Sequence, residues 1–139
     1  MQYAVARRGL PGPATLRKWC AAVSRDMRVT LRIVGAREGR RLNSRYRKKQ
    51  GPTNVLSFPY GRGEGDVVLC HAVIAREARA QRKPLAEHYA HLVVHGVLHL
   101  RGYGHETKAE AARMEGAAAR ILARLGLPDP YAVESPKRR

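Results

Sequence analysis

The sequence predicts an α/β domain in which helices pack on a small mixed sheet of about four strands. Three observations carry this expectation. Short β-branched runs alternate with longer stretches of helical spacing, glycine or proline marks most changes of pattern, and no segment repeats another. At 139 residues the chain has room for one core, so residues 1–139 are expected to form a single domain with a basic tail at 135–139.

Taken in order, residues 1–12 read as a strand or loose lead-in ending at Gly9-Leu10-Pro11-Gly12. Pro13 suits a first helical turn, where no N–H is needed, and Leu16, Trp19, Cys20 and Val23 recur at helical spacing to about residue 27. Val29-Thr30-Leu31-Arg32-Ile33-Val34 alternates and is β-branched, a strand ended by Gly35. Residues 36–53 are expected to be a polar, basic connection. Val55-Leu56-Ser57-Phe58 reads as a second strand stopped by Pro59, and Asp66-Val67-Val68-Leu69-Cys70 as a third. Ala72 to Arg82 carries helix formers. Pro84 opens the most apolar helix, expected to run to about Arg101, with Gly102 ending it. Thr107, with Glu110 three residues on, has the pattern of a capping box for a last helix carrying Met114, Ile121, Leu122 and Leu125.

Composition narrows the function. Lys and Arg number 27 against 11 acids, a net charge of +16, which points to a polyanionic partner. Residues 1–62 hold fifteen Lys and Arg and two acids, whereas residues 63–134 hold nine of each. A GC-rich coding bias explains an abundance of Arg, but not the absence of acids from one half. Arg, at 21 to 6 over Lys, suits phosphate because its planar fork grips two oxygens. Cys20 and Cys70 are too few for a disulfide framework and read as inert core thiols. The N-terminus lacks the apolar run of a signal peptide, and no stretch approaches the roughly 20 apolar residues of a membrane span. The expectation is a soluble, cytoplasmic protein without a membrane partner.

The strongest motif is His95-Gly96-Val97-Leu98-His99-Leu100-Arg101-Gly102-Tyr103-Gly104-His105. His95 and His99 fall on one face of a helix and can share a metal ion. Gly102 can break the helix with positive φ and bring His105 back as a third ligand. Three imidazoles leave a fourth tetrahedral position for water, the arrangement of a catalytic zinc, expected at one per chain. His88 and His91 read as packing or supporting groups, and His71 has no partner visible in the sequence. Zinc proteases share this spacing but need Glu after the first histidine as general base, and Gly96 stands there. Zinc beside a basic half points instead to hydrolysis of a phosphodiester, with the segment Arg45-Tyr46-Arg47-Lys48-Lys49 neutralising phosphate. Aromatic residues are only 6% of the chain, which argues against a base-stacking platform.

These residues resemble the YbeY endoribonucleases, bacterial rRNA maturation factors, whose signature reads H-G-x-L-H-L-x-G-Y-D-H. The resemblance runs from about Leu31 to Tyr131. It includes Tyr46-Arg47, the block from Pro52 to Pro59, Gly65-Asp66-Val67-Val68-Leu69-Cys70, Lys83-Pro84-Leu85, His88, His91 and Asp129-Pro130-Tyr131. It implies a single zinc-binding domain with His95, His99 and His105 as ligands and single-strand-specific endoribonuclease activity. It also implies a role in 16S rRNA 3′-end maturation and ribosome quality control. Arg47 matches the family's functional arginine and is expected, with His99, to be catalytic. Arg45, Arg47, Lys48, Lys49 and Ser57 are expected to bind RNA. Implied partners are rRNA in the small ribosomal subunit, with a small-subunit ribosomal protein and an assembly GTPase as further candidates. Two residues depart from the pattern: Gly104 stands where the family has Asp, and Gln50 where an Asp precedes the Pro-Thr-Asn-Val block. The first departure keeps open an alternative, an RNA-binding assembly factor with a structural zinc and weak or absent hydrolysis.

Overall fold

The computed structural model describes residues 1–6, 8–44, 53–61, 63–104 and 106–132. Its frame is a four-stranded mixed sheet built from β1 (Gln2–Tyr3), β2 (Arg28–Val34), β3 (Val55–Gly61) and β4 (Glu64–Cys70), in the order β1-β2-β4-β3. β1 and β4 run parallel to β2, and β3 pairs antiparallel with β4. Among the described residues five helices accompany it: α1 (Pro13–Val23), α2 (Ala36–Leu42), α3 (His71–Ala80), α4 (Leu85–Leu100) and α5 (Lys108–Arg124).

The alternation of the strands decides which helices cover which face. Leu31, Ile33, Val55, Val67 and Leu69 join the larger core with Leu16 and Trp19 of α1, Val93, Val94 and Val97 of α4, and Met114, Ala118 and Leu122 of α5. Their strand neighbours Val34, Leu56, Val68 and Cys70 form a smaller core with Val73, against which Leu42 and Phe58 pack. α4 is buried along most of its length, which is why its sequence lacks a polar face.

Three expectations need correction. Residues 36–53 are not all connection, because α2 occupies Ala36–Leu42. It has little apolar periodicity to announce it and seats instead by close approach. A Cβ on Gly39 would lie 2.8 Å from Cys70 Sγ. Its Glu38 also takes a forked bond from Arg32, Nη2 to Oε2 at 2.9 Å and Nε to Oε2 at 3.2 Å. The first helix ends at Val23 rather than near residue 27, because Ser24 turns to an extended conformation, φ −161° and ψ 126°. The second predicted strand does not stop at Pro59 but continues to Gly61. β3 lies at the sheet edge, where a residue without an N–H leaves no ladder bond unmade, and the register shifts just after it.

Candidate active site

Four histidines of α4 fall at positions 88, 91, 95 and 99 and make a ladder of rings along it. Ring centres are 6.0 Å apart from His88 to His91, 6.4 Å from His91 to His95 and 4.9 Å from His95 to His99. Of the lower rungs, His88 is buried and His91 half-buried, and each is held by a partner. His88 Nε2 donates to Glu77 Oε1 at 2.8 Å, and His91 Nε2 meets the Tyr131 hydroxyl at 3.0 Å. Burial, reinforced by Lys83 and by the rings of His95 and His88, pushes the His91 pKa down to about 3. Burial likewise pushes the Tyr131 phenol up to about 12, with Glu115 and Asp129 adding to the shift. His71 does have a partner, invisible in the sequence: its Nδ1 lies 2.8 Å from the Tyr89 hydroxyl. Both cysteine thiols are pushed up to about 11 by burial, in keeping with inert core groups.

The upper rungs open onto solvent. His95 and His99 line a cleft of about 320 Å³ with Thr53, Asn54, Val55, Ser57 and Pro59. α4 reaches this position because it crosses the sheet at Gly96, where an added Cβ would lie 2.7 Å from Val67 Cγ1 and 3.2 Å from Val55 Cγ2. Ser57 Oγ donates to Gly96 O at 2.9 Å, tying β3 to the helix between the two imidazoles. Ser57 thus lies in the cleft as expected, with its hydroxyl proton engaged by the backbone.

Past Leu100 the chain leaves the helix as predicted. Gly102 takes φ 104°, its N–H bonds His99 O at 3.0 Å, and the Tyr103 N–H bonds Leu98 O at 3.1 Å. This pair of bonds is a Schellman closure, which turns the chain immediately before residue 105. Thr107 caps α5 as expected, Oγ1 accepting from Glu110 N at 3.0 Å, while Glu110 Oε1 accepts from Glu106 N at 3.1 Å.

Among the described residues no group of three or more His, Cys, Asp or Glu could hold a metal. The predicted third ligand His105, and Arg45, Arg47, Lys48 and Lys49, lie outside the described residues.

Asn54 is a site residue that sequence reasoning passed over. It lines the His95–His99 cleft and a neighbouring one of about 270 Å³, which His91, His95, Met114 and Tyr131 also line. Its Nδ2 donates to Glu77 Oε1 at 3.1 Å, the oxygen that also takes His88. A carboxylate only accepts, so the amide nitrogen is fixed toward Glu77 and Oδ1 is left as the side chain's acceptor. The only signal for it was its place inside the matching Pro52–Pro59 block.

Fold and site define a class: a small α/β protein that presents two imidazoles, one helical turn apart, in an open cleft. The family model described as Endoribonuclease YbeY matches residues 14–126. A protein of Alkalilimnicola ehrlichii named Endoribonuclease YbeY is 50% identical over 150 residues, covering 96% of this chain and 90% of that one. Another so named, from Aromatoleum aromaticum, is 53% identical over 126 residues, covering 88% and 82%. A third, from Nitrosomonas eutropha, is 46% identical over 138 residues, covering 96% and 98%. The chain belongs to the YbeY endoribonuclease family. The solution structure of TM1509 from Thermotoga maritima has the same fold, with a TM-score of 0.55 at 21% identity, over 99% of this chain and 98% of that one.

Proposed function

We propose that the protein is a zinc-dependent, single-strand-specific endoribonuclease of the cytoplasm that matures the 3′ end of 16S rRNA and serves ribosome quality control. The observation that carries this reading is the His95–His99 pair on one face of α4 at the cleft, in a chain of this family. The two described imidazoles suit zinc, which neutral ring nitrogens bind. Two imidazoles on one tetrahedral zinc, with Zn–N of about 2.0–2.1 Å, have ring centres roughly 5 Å apart, and these two stand at 4.9 Å. His95 and His99 would hold the ion with His105.

Zinc, when bound, supplies a water ionised near neutral pH and polarises a phosphoryl oxygen. The chain's own residues do the rest. The Gly96 contact and the Ser57 bond fix the helix that aims both imidazoles. The Glu77 carboxylate holds Asn54 at the cleft wall. Arg47, with Arg45, Lys48 and Lys49, neutralises the phosphate as negative charge builds in the transition state. Small-subunit rRNA is the substrate, and a small-subunit ribosomal protein and an assembly GTPase are partners of the same complex.

Elemental analysis paired with single-stranded RNA cleavage, on wild type and His99→Ala, tests this. About one zinc per chain and cleavage are expected in the wild type, with both lost in the variant while its circular dichroism is retained. Zinc without cleavage in the wild type would replace this reading by the assembly factor with a structural metal, which Gly104 favours. A wild type with neither zinc nor RNA binding would overturn both.

A further inference from the structure

The turn that ends α4 opens onto another cleft, of about 330 Å³, lined by Arg101, Gly102, Tyr103, Gly104, Glu110 and Arg113. None of the residues assigned above to RNA belongs to it. Arg101 and Arg113 are both exposed. Arg101 Nη1 donates to Val23 O at 3.2 Å, which anchors the guanidinium and leaves most of its five N–H donors unspent. Arg113 has no hydrogen-bond or ion-pair partner among the described residues. The one carboxylate, Glu110, is engaged by the Glu106 N–H at the start of α5. Gly104 contributes no side chain: a Cβ there would stand 3.1 Å from Glu110 Oε1. An Asp at this position would set a second carboxylate beside the first. Its absence leaves the cleft with more cationic than anionic groups.

We propose that this cleft is a phosphate subsite, in which Arg101 and Arg113 hold a backbone phosphodiester of the RNA strand beyond the His95–His99 cleft. The proposal rests on the endoribonuclease reading above. Arg101 caps α4 two residues past His99, so the subsite stands at the same end of that helix as the His99 imidazole. A guanidinium pair matches the planar, two-oxygen acceptor that a phosphodiester presents.

The test is the salt dependence of binding, read by fluorescence anisotropy with a fluorescein-labelled 2′-O-methyl decauridylate on the zinc-loaded protein. Each phosphate contact in a single strand adds about −0.7 to the slope of log K against log salt. Arg113→Gln, which breaks no described bond, is expected to weaken binding several-fold at low salt and to flatten the slope by about 0.7. Arg101→Gln should do the same, with its melting temperature read alongside because of the Val23 bond. Gly104→Asp should weaken binding without removing a cation. Arg124→Gln removes the same charge from the far end of α5, about three turns away, and should leave slope and affinity at the wild-type values.

A wild-type slope in Arg113→Gln overturns the subsite. So does an equal loss in Arg124→Gln, which would make the effect one of overall charge. Because binding is the readout, a wild type that binds RNA but does not cleave it sinks the endoribonuclease reading and leaves the subsite measurable. A wild type that cleaves, with the Arg113→Gln slope unchanged, sinks the subsite alone.

Discussion

Gly96 stands between two histidines that must reach the cleft, and its own direction is into the sheet. A Cβ there would lie 2.7 Å from Val67 Cγ1 and 3.2 Å from Val55 Cγ2, which leaves no room for any side chain. A Glu there, the base that a zinc protease requires, would be driven into the apolar core instead of toward the ligands. Gly96→Ala is therefore expected to cost about 1–3 kcal/mol through overpacking, seen as a lower midpoint in urea denaturation. His91 gives a second prediction at this scale. Its pKa is about 3 in the folded protein against an ordinary 6.5. Between those values the unfolded chain takes up a proton that the folded chain refuses. The stability from keeping His91 neutral is complete above about pH 6.5 and is lost as the pH falls toward 3, by up to about 1.4 kcal/mol per unit. His71, also held low by burial, acts in the same direction. Urea denaturation at pH 7.5 and pH 5 should show this loss in the wild type and a smaller one in His91→Gln, which offers Tyr131 a neutral partner at both.

At the scale of elements, the end of α4 decides whether the histidine pair and the following turn stay in register. Gly102 at φ 104° makes both bonds of the Schellman closure possible. A side chain there meets no neighbouring atom, so Gly102→Ala isolates the backbone strain. The expected cost is about 1–2 kcal/mol, with a lower melting temperature by circular dichroism and weaker zinc binding if the turn carries His105 to the metal. This stop was legible from the sequence because it depends on one residue type at one position. So was the Thr107 cap, and so were the three longer strands, whose short β-branched and apolar runs report on covered faces. α2 was not legible. What seats it is a backbone approach at Gly39 and an ion pair reaching back to Arg32, neither of which leaves an apolar period. Pro59 misled for a related reason: its missing N–H matters only if a strand lies on that side, and edge position is a property of the sheet. At the site, local spacing gave the His95–His99 pair. The Asn54–Glu77–His88 chain joins two helices and the residue before β3, and no local pattern could show it.

The whole molecule adds a field that no single contact explains. Its charge of +16 is concentrated in the residues that build β1, α1, β2, α2 and the basic segment after them. The strand β3 that follows this segment forms one wall of the histidine cleft, with Thr53 and Asn54 at its entry. Under the proposed function, an RNA strand would be drawn by the charge of this basic half. Affinity should then fall steeply with salt. About five phosphate contacts on a single strand would give a log–log slope near −3.5, so a rise from about 50 to about 200 mM salt would weaken binding roughly a hundredfold. The His99→Ala protein should show the same slope, since the metal-side pair adds chemistry at one bond whereas the field acts on every phosphate. A slope near zero in the wild type would mean that the charge asymmetry serves something other than RNA. A slope lost in His99→Ala with the fold intact would assign the attraction to the metal centre itself rather than to the arginines of the basic half.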